Sequence, residues 1–537
     1  MAEDFSDKHC LVIDDFTDMR AAIRSILRSL GVNHIDQARD GNDAIAQMEK
    51  KRFDVVLCDY NLGPGKDGQQ VLEEARHRQL IGVDCLFIMV TAENTRAMVM
   101  SAAEYAPDSY LAKPFTKELL KSRLDKLFER KSRLTTVNKA LMAKDYAAAI
   151  GELNALIAGK PKNLADLLSL KAEICLTANR YDDAMAIYEQ VLAVREITWA
   201  RLGMGKVLYW KKHHAQAQEI FRQLIALDPN LIAAYDWLAK TQTALQQFDE
   251  AERTVQTAVK LSPRGLKRQQ LLGDLALSNG HAQEAETAFG HAVTLAKHSV
   301  LNHPALFAGL ARSKASNNKH VDALKVIGEI DKVFPETPEA LFYKASATAA
   351  VKQHHGDTAG AMAALQTAER VMDQCGETSH AKLALEMAKT YAQLGEQDKA
   401  SSLLQASNAN NHDDEEFLVE IVRVCREAGV EYDAETAIRE IRQSVVKTNN
   451  TGVRLIKQGE FDAAIRLLCE AAEEMPGNKT INLNAAKASI MKMENMGATN
   501  EDIQTVRRYV GRVQALAPND WRLNDILSRL RGLAPKV

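Results

Sequence analysis

A chain of 537 residues is long enough for about three or four ordinary domains, or for fewer if one is a long repeat array, and far too long for a small disulfide scaffold. With 46% hydrophobic and 26% charged residues it carries enough apolar surface to offset chain entropy, which excludes a disordered chain. The net charge of -3 divides into -4 over residues 1–130 and about +1 over the remainder, so neither part has the basic excess that draws a protein to nucleic-acid phosphates or anionic membranes.

The opening MAEDFSDKHC is acidic, and the densest apolar run, CLFIMV at 85–90, is far shorter than a membrane span, so neither an export signal nor an anchor is expected. The seven cysteines are odd in number, show no CxxC spacing and mostly sit among apolar neighbours. They read as small core residues in a reducing cytoplasm.

From 9 to 114 the chain alternates short apolar runs with amphipathic stretches. HCLVIDDF, HIDQA, DVVLCDYN, CLFIMVTA and SYLAKPF predict five strands, and the 3.6-residue spacing of Ile23, Ile26, Leu27 and Leu30 marks one of the intervening helices. This βα alternation implies a parallel sheet covered on both faces, with ligands bound beyond the carboxyl ends of its strands. Those ends carry Asp14 and Asp15, Asp59, Thr91, and Lys113 followed by Pro114. Taken singly, an Asp or Thr is a helix cap, Lys113 a solvated charge and Tyr110 a strand aromatic. Taken together, three carboxylates require a compensating cation, for which a hard, oxygen-preferring ion such as Mg²⁺ fits, while Lys113 and Thr91 suit an incoming phosphoryl group. The chemistry indicated is phosphoryl transfer to a carboxylate. Loop 62–68, LGPGKDG, lacks nucleotide-loop spacing and reads as a mobile connection.

Over about residues 5–128 the chain resembles the receiver domain of two-component response regulators, a flavodoxin-like fold, through Asp14-Asp15, Asp59 in VVLCDYN, Thr91 in MVTA, and Tyr110 with Lys113-Pro114 in SYLAKPF. The resemblance implies that Asp59 is the phosphoacceptor and that Asp14, Asp15, Asp59 and the backbone carbonyl of Asn61 hold Mg²⁺ or Mn²⁺. It further implies that Thr91 and Lys113 hold the phosphoryl oxygens, that Tyr110 is the switch aromatic, and that the Lys113-Pro114 bond is cis. The phosphodonor would be a sensor histidine kinase or a phosphotransfer protein. Ala92 leaves room for the donor to approach. Asn61 and Glu93, two residues beyond Asp59 and Thr91, border the path of an attacking water and predict an acyl phosphate that hydrolyses fairly readily.

Beyond about residue 130 a repeat of roughly 34 residues begins. A small residue with an apolar one four later recurs as Ala149/Leu153, Ala184/Tyr188, Ala217/Phe221, Ala251/Val255, Ala285/Phe289, Ala323/Ile327, Ala361/Leu365, Ala400/Leu404 and Ala464/Leu468. Pro161, Pro229, Pro263, Pro335 and Pro476 follow about twelve residues after it and end the second helix of a hairpin. Segments such as YDWLAKTQTALQQFDEAERTVQTAVKLSPR resemble tetratricopeptide repeats, which implies an all-α superhelical solenoid with a groove for a protein partner.

The domain reading is therefore a receiver at 1–128, a linking helix at 129–145, an array of about eight hairpins over 131–411, a unit at 412–445 that lacks the signature and marks either a break or sequence drift, and two hairpins at 446–537. Thr116 to Met142 is either one helix or two segments separated by a polar break at Glu129–Ser132. His213-His214 and His354-His355 fall at hairpin turns, not at ligand spacing, and the acidic run Asp413–Glu416 starts a helix. Trp199, Tyr209, Trp210, Tyr235 and Trp237 serve either as core or as a groove anchor. The function expected is a phosphorylation-controlled regulator that binds a protein through the array. It is not an enzyme beyond its own Mg-dependent phosphorylation and dephosphorylation, it has neither nucleic acid nor membrane as partner, and the face of a helix at 94–105, the fifth strand and the last receiver helix is a candidate for homodimerisation. The alternatives are a constitutive scaffold whose receiver does not switch and, less favoured by the charge, a nucleic-acid-binding regulator.

Overall fold

Strands form where apolar residues run without interruption: β1 (His9–Ile13), β2 (His34–Ala38), β3 (Val55–Asp59), β4 (Leu86–Thr91) and β5 (Ser109–Ala112) pair in parallel in the order β2-β1-β3-β4-β5. The computed structural model describes residues 5–82, 84–91, 107–159, 161–372, 374–375, 377–411, 415–430, 432–517, 520 and 522–533. The expected helix at 94–105, with Ala92 and Glu93, lies outside them.

Alternate side chains of each central strand feed opposite cores. Leu11, Ile13, Val56, Cys58, Phe87 and Met89 pack with α2 (Gly41–Lys50) and α3 (Gly68–His77). Cys10, Val12, Val55, Leu57, Ile88 and Leu111 pack with α1 (Thr17–Ser29) and with the helix Lys117–Arg133. With both faces covered, the polar residues that end the strands are left together along one edge of the sheet.

The junction differs from both sequence expectations. Helix Lys117–Arg133 runs through residues 129–132, and the interruption is the single residue Leu134, with φ -101° and ψ 10°, before helix Thr135–Met142. Residues 129–132 stay helical because Glu129 pairs with Arg133 one turn on and Lys131 is anchored to Asp108 at 3.3 Å, whereas the Leu134 side chain turns to the apolar core of the first hairpin.

Eight hairpins follow between Thr135 and Asn411. Each turns on a residue in the left-handed conformation five positions before the aligned alanine: Lys144, Asn179, Lys212, Gln246, Gly280, Asn318, Gly356 and Gly395. The alanines themselves are fully buried, which lets the paired helices approach. The seams between hairpins are close as well. Phe289 lies between Gly273 and Gly309, where an added Cβ would come within 2.6 and 2.4 Å of its ring.

The unit at 412–445, expected as either a degenerate repeat or a break, is a hairpin. Helix Glu415–Ala428 turns at Gly429, with φ 62°, and buried Ala434 and Ile438 occupy the small and apolar positions. The following helix, Ala434–Lys457, is 24 residues long and also serves the next hairpin, where Gly452 meets Leu468. This double use shortens the step from Ala434 to Ala464 to 30 residues. The apolar core divides within that helix, between the cluster ending at Ile438 and the one starting at Val445. After hairpin Lys479–Met496 and Asn500–Leu516, a last helix, Arg522–Leu533, brings Asn524 Nδ2 to 3.1 Å from the carbonyl of Lys144 in the first hairpin turn.

Candidate functional site

The turn after β1 buries Asp14 completely and leaves Asp15 exposed. Asp14 Oδ1 accepts the Phe16 N–H at 2.9 Å, and its carbonyl accepts Arg20 Nη1 at 2.5 Å, so local hydrogen bonds orient the carboxylate before any partner arrives. Asp59 ends β3 and is 8% exposed. Lys113, carried past β5 by a backbone bond from its N–H to the Thr91 carbonyl at 2.8 Å, donates from Nζ to Asp14 Oδ2 at 2.7 Å and to Asp59 Oδ2 at 2.9 Å. Asp14, Asp15 and Asp59 each offer an oxygen, and these lie within 4.8 Å of one another. The Lys113-Pro114 bond is cis. Thus the ends of β1, β3 and β5 bring Asp14, Asp15, Asp59 and Lys113 around one point, and the Thr91 carbonyl of β4 holds the Lys113 backbone beside it.

Residues 10–125 match the response regulator receiver domain family. The Vibrio cholerae chemotaxis protein CheY-3 is 38% identical over 126 residues, 22% of this chain and 91% of that protein. The Pseudomonas aeruginosa chemotaxis protein CheY is 36% identical over 120 residues, 22% of this chain and 95% of that one. The chain belongs to the response-regulator receiver family. Tetratricopeptide repeats match at residues 198–275, and a solved tetratricopeptide repeat protein from Parabacteroides merdae is similar over 48% of this chain and 98% of its own, at 14% identity and a TM-score of 0.32.

Within the receiver, burial pushes the Asp59 carboxyl above its ordinary range; the Lys113 hydrogen bond and charge pull it down, and the neighbouring Asp14 charge adds to the rise. Burial acts against the Lys113 ammonium, yet hydrogen bonds and charge from Asp14 and Asp59 hold its pKa above the usual lysine value. One ammonium faces three carboxylates, so the site retains an excess of negative charge and of hard oxygen donors. That donor set, the oxygens of Asp14, Asp15 and Asp59, is of the kind that fits Mg²⁺.

Asn61 is exposed in the loop after β3, with Oδ1 accepting the Gly63 N–H at 3.3 Å. Thr91 is half-buried at the end of β4. Tyr110 packs against the α3 side of the sheet, and its buried hydroxyl has no hydrogen-bond partner among the described residues; burial raises its pKa to about 12. Glu93 lies outside the described residues.

Sequence reasoning missed how loop 62–68 is held. Far from being a free connection, its second half is pinned: Lys66 pairs with Glu74 at 3.1 Å, Asp67 forms a capping box with Gln70, and a Cβ on Gly68 would fall 2.2 Å from the Asp59 carbonyl oxygen. The D-G-Q-Q run at 67–70 was the available signal, since Asp followed three residues later by Gln is a helix start.

In the array, among the described residues, no other group of three His, Cys, Asp or Glu comes together at metal-binding spacing. His213 and His214 precede and open helix His214–Leu227, and His354 and His355 close helix Pro338–His354, so both pairs sit at turns. The aromatic patch is mostly core. Trp199 packs on Tyr188, Tyr235 bonds to the Pro229 carbonyl at 3.1 Å, and Trp237 lies on Tyr209 and Phe221, while Lys240 Nζ sits 4.8 to 5.3 Å above the rings of Trp237, Trp210 and Tyr209. Of the five, Tyr209 and Tyr235 are buried, Trp199 and Trp237 half-buried, and Trp210 exposed. The cysteines are unpaired, and Cys10, Cys58, Cys85 and Cys175 are buried.

Proposed function

We propose that the chain is a phosphorylation-controlled response regulator whose array binds a protein partner according to the state of Asp59. The observation that carries this reading is the convergence of Asp14, Asp15 and Asp59 with Lys113 spanning two of them. An Asp59 carboxylate oxygen attacks the phosphorus of a phosphohistidine on a sensor kinase or phosphotransfer protein; the new O–P bond forms as the P–N bond breaks, and the imidazole leaves with the electron pair and takes a proton from solvent. Lys113 is already on the Asp59 oxygen and supplies positive charge to the transferring group, while Thr91 donates a hydroxyl from the adjoining strand end. Asp14, Asp15, Asp59 and the Asn61 carbonyl would hold Mg²⁺ or Mn²⁺, which neutralises charge on the phosphoryl oxygens. Asn61 and Glu93 set the access of the hydrolytic water.

A doubly charged phosphoryl group at Asp59 draws Thr91 and Lys113 towards it and lets the Tyr110 ring follow, which changes the receiver surface near β5. That surface is also where homodimerisation would be sought. The chain catalyses only its own phosphorylation and dephosphorylation, and works in the cytoplasm; among the described residues no helix is long and apolar enough to cross a membrane.

The test is incubation of the full chain with acetyl phosphate and Mg²⁺, followed by intact mass. The added mass of one phosphoryl group, absent in Asp59→Asn and Lys113→Ala, is expected. No added mass in the wild type refutes the reading. A constitutive scaffold is separated by pull-down: partner binding identical in wild type and Asp59→Asn after phosphodonor treatment would favour it.

A further inference from the structure

The receiver does not merely precede the array; it lies against it. The contact is made by the segment that follows the phosphoacceptor. Tyr60 Oη accepts Arg264 Nη1 at 3.0 Å, and the Arg264 guanidinium sits 5.6 Å from the Tyr60 ring centre and 3.8 Å from Asp67 Oδ2. Gln70 Nε2 donates to the carbonyl of Leu295 at 3.1 Å, and Ser299 Oγ donates to Glu73 Oε2 at 2.5 Å.

Both sides are preorganised. On the array side, Arg264 stands in the turn between helices Phe248–Leu261 and Leu266–Ser278, and that turn is fixed by buried Arg268, which donates to Asp236 at 2.8 Å and to Ser262 Oγ at 3.3 Å. Leu295 is in the last turn of helix Ala282–Ala296, where carbonyls lack intrahelical partners, so the receiver amide caps an array helix. On the receiver side, Gln70 uses its two amide atoms at once: Oε1 accepts the Asp67 N–H at 3.1 Å within the α3 cap while Nε2 reaches the array. The α3 start is in turn joined to the acceptor, since the Gly68 N–H donates to the Tyr60 carbonyl at 2.8 Å. A cleft of about 240 Å³ remains between the two faces, lined by Tyr60, Gln69, Arg264, Thr294 and His298. A polar, incompletely filled contact of this kind is separable without exposing an apolar core.

We propose that the 262–265 turn and the end of helix Ala282–Ala296 form a docking surface whose partner is this chain's own β3–α3 segment, with Arg264 as the residue that holds it, and that docking competes with occupation of the Asp59 site. The second half rests on the receiver chemistry proposed above. The loop from Tyr60 to Asp67 has two demands upon it: Arg264 holds its two ends through Tyr60 and Asp67, while the cation and phosphoryl group at Asp59 draw Asn61 inward towards Asp14 and Asp15. What satisfies one weakens the other, and the coupling is reciprocal. The array surface covered by the receiver is then presented to a protein partner only when Asp59 is phosphorylated.

Hydrogen–deuterium exchange on the full chain tests this, read at residues 60–73, 262–268 and 294–301. Arg264 has a half-exposed side chain, so Arg264→Ala is not expected to disturb folding, and Ser299→Ala provides a second, smaller lesion. Both variants are expected to exchange several-fold faster in all three segments, as is the wild type with acetyl phosphate and Mg²⁺ but not Asp59→Asn. By reciprocity, Arg264→Ala accumulates several-fold more acyl phosphate. Unchanged exchange in both variants overturns the docking surface. Unchanged exchange in a wild-type chain that demonstrably carries the phosphoryl group overturns the competition. A chain that takes up no phosphoryl group refutes the receiver chemistry and with it the competition, while faster exchange in Arg264→Ala still supports the docking surface.

Discussion

The receiver and the array place their buried charge in opposite ways. In the receiver, three carboxylates and one ammonium meet at one edge of a sheet whose two faces are apolar, and the concentration creates a site. In the array, charge is spread along the repeats: Glu286 lies among Lys314, Lys319 and Asn317, Glu252 against His281, and Arg312 against Glu386. Glu286 and Glu252 each join adjoining repeats, whereas Arg312 reaches from helix Pro304–Ser316 past helix Pro338–His354 to helix Glu377–Gln393. Concentrated charge supports chemistry at the expense of local stability, whereas distributed charge secures the register of a repeat.

Four substitutions sharpen that contrast. The largest effect is expected for Phe289→Ala, which empties the space between Gly273 and Gly309 and costs about 4 kcal/mol; exchange should quicken in the adjoining hairpins while the sheet of the receiver keeps its protection. Uniform loss throughout the chain would show that the array does not respond hairpin by hairpin. Next, Lys113→Ala leaves Asp14 and Asp59 buried without their cation and should cost about 3 kcal/mol, confined to the receiver. Millimolar Mg²⁺ should restore part of that loss in a thermal melt, and a melt indifferent to Mg²⁺ would argue against the three-carboxylate site.

Glu286 gives an intermediate effect with a defined pH dependence. Burial works against its charge, but hydrogen bonds from Lys319, Lys314 and Asn317 prevail and lower its pKa to about 2. A carboxyl lowered in the folded state stabilises it fully above the ordinary pKa and loses that contribution as pH falls towards 2. Glu286→Gln is therefore expected to cost about 2 kcal/mol at pH 7, and the gap between the two denaturation curves should close on acidification. A gap of the same size at pH 3 and pH 7 would contradict the assignment. The smallest effect is expected at Gly429: alanine in its left-handed conformation should cost about 1 kcal/mol, read as faster exchange of the 415–457 hairpin. No change there would mean that the turn is not closed as described.

Much of the receiver was readable because its strands are continuous apolar runs and their last residues are chemically unlike one another; Asp14, Asp59, Thr91 and Lys113 could be assigned to strand ends directly. The repeat was readable as far as Ala400 because one small residue recurs against one apolar neighbour. The signature of the unit at 412–445 was passed over, although Ala434 stands 34 residues after Ala400 with Ile438 four later, because helix Ala434–Lys457 serves two hairpins and brings Ala464 only 30 residues further on. The break at Leu134 was equally hidden, since helical periodicity does not say which core a leucine will join.

Local pattern alone thus determined the parallel sheet, the identity of the residues along its edge and the hairpin as the unit of the remainder, because each depends on neighbours a few positions apart. Only the tertiary structure decided that Lys113 spans Asp14 and Asp59, that Gly429 belongs to a complete hairpin, and that Arg264 reaches Tyr60. The first and last of these are meetings of residues 54 to 204 positions apart, set by how the strands pair and the helices stack, which no short stretch of sequence records.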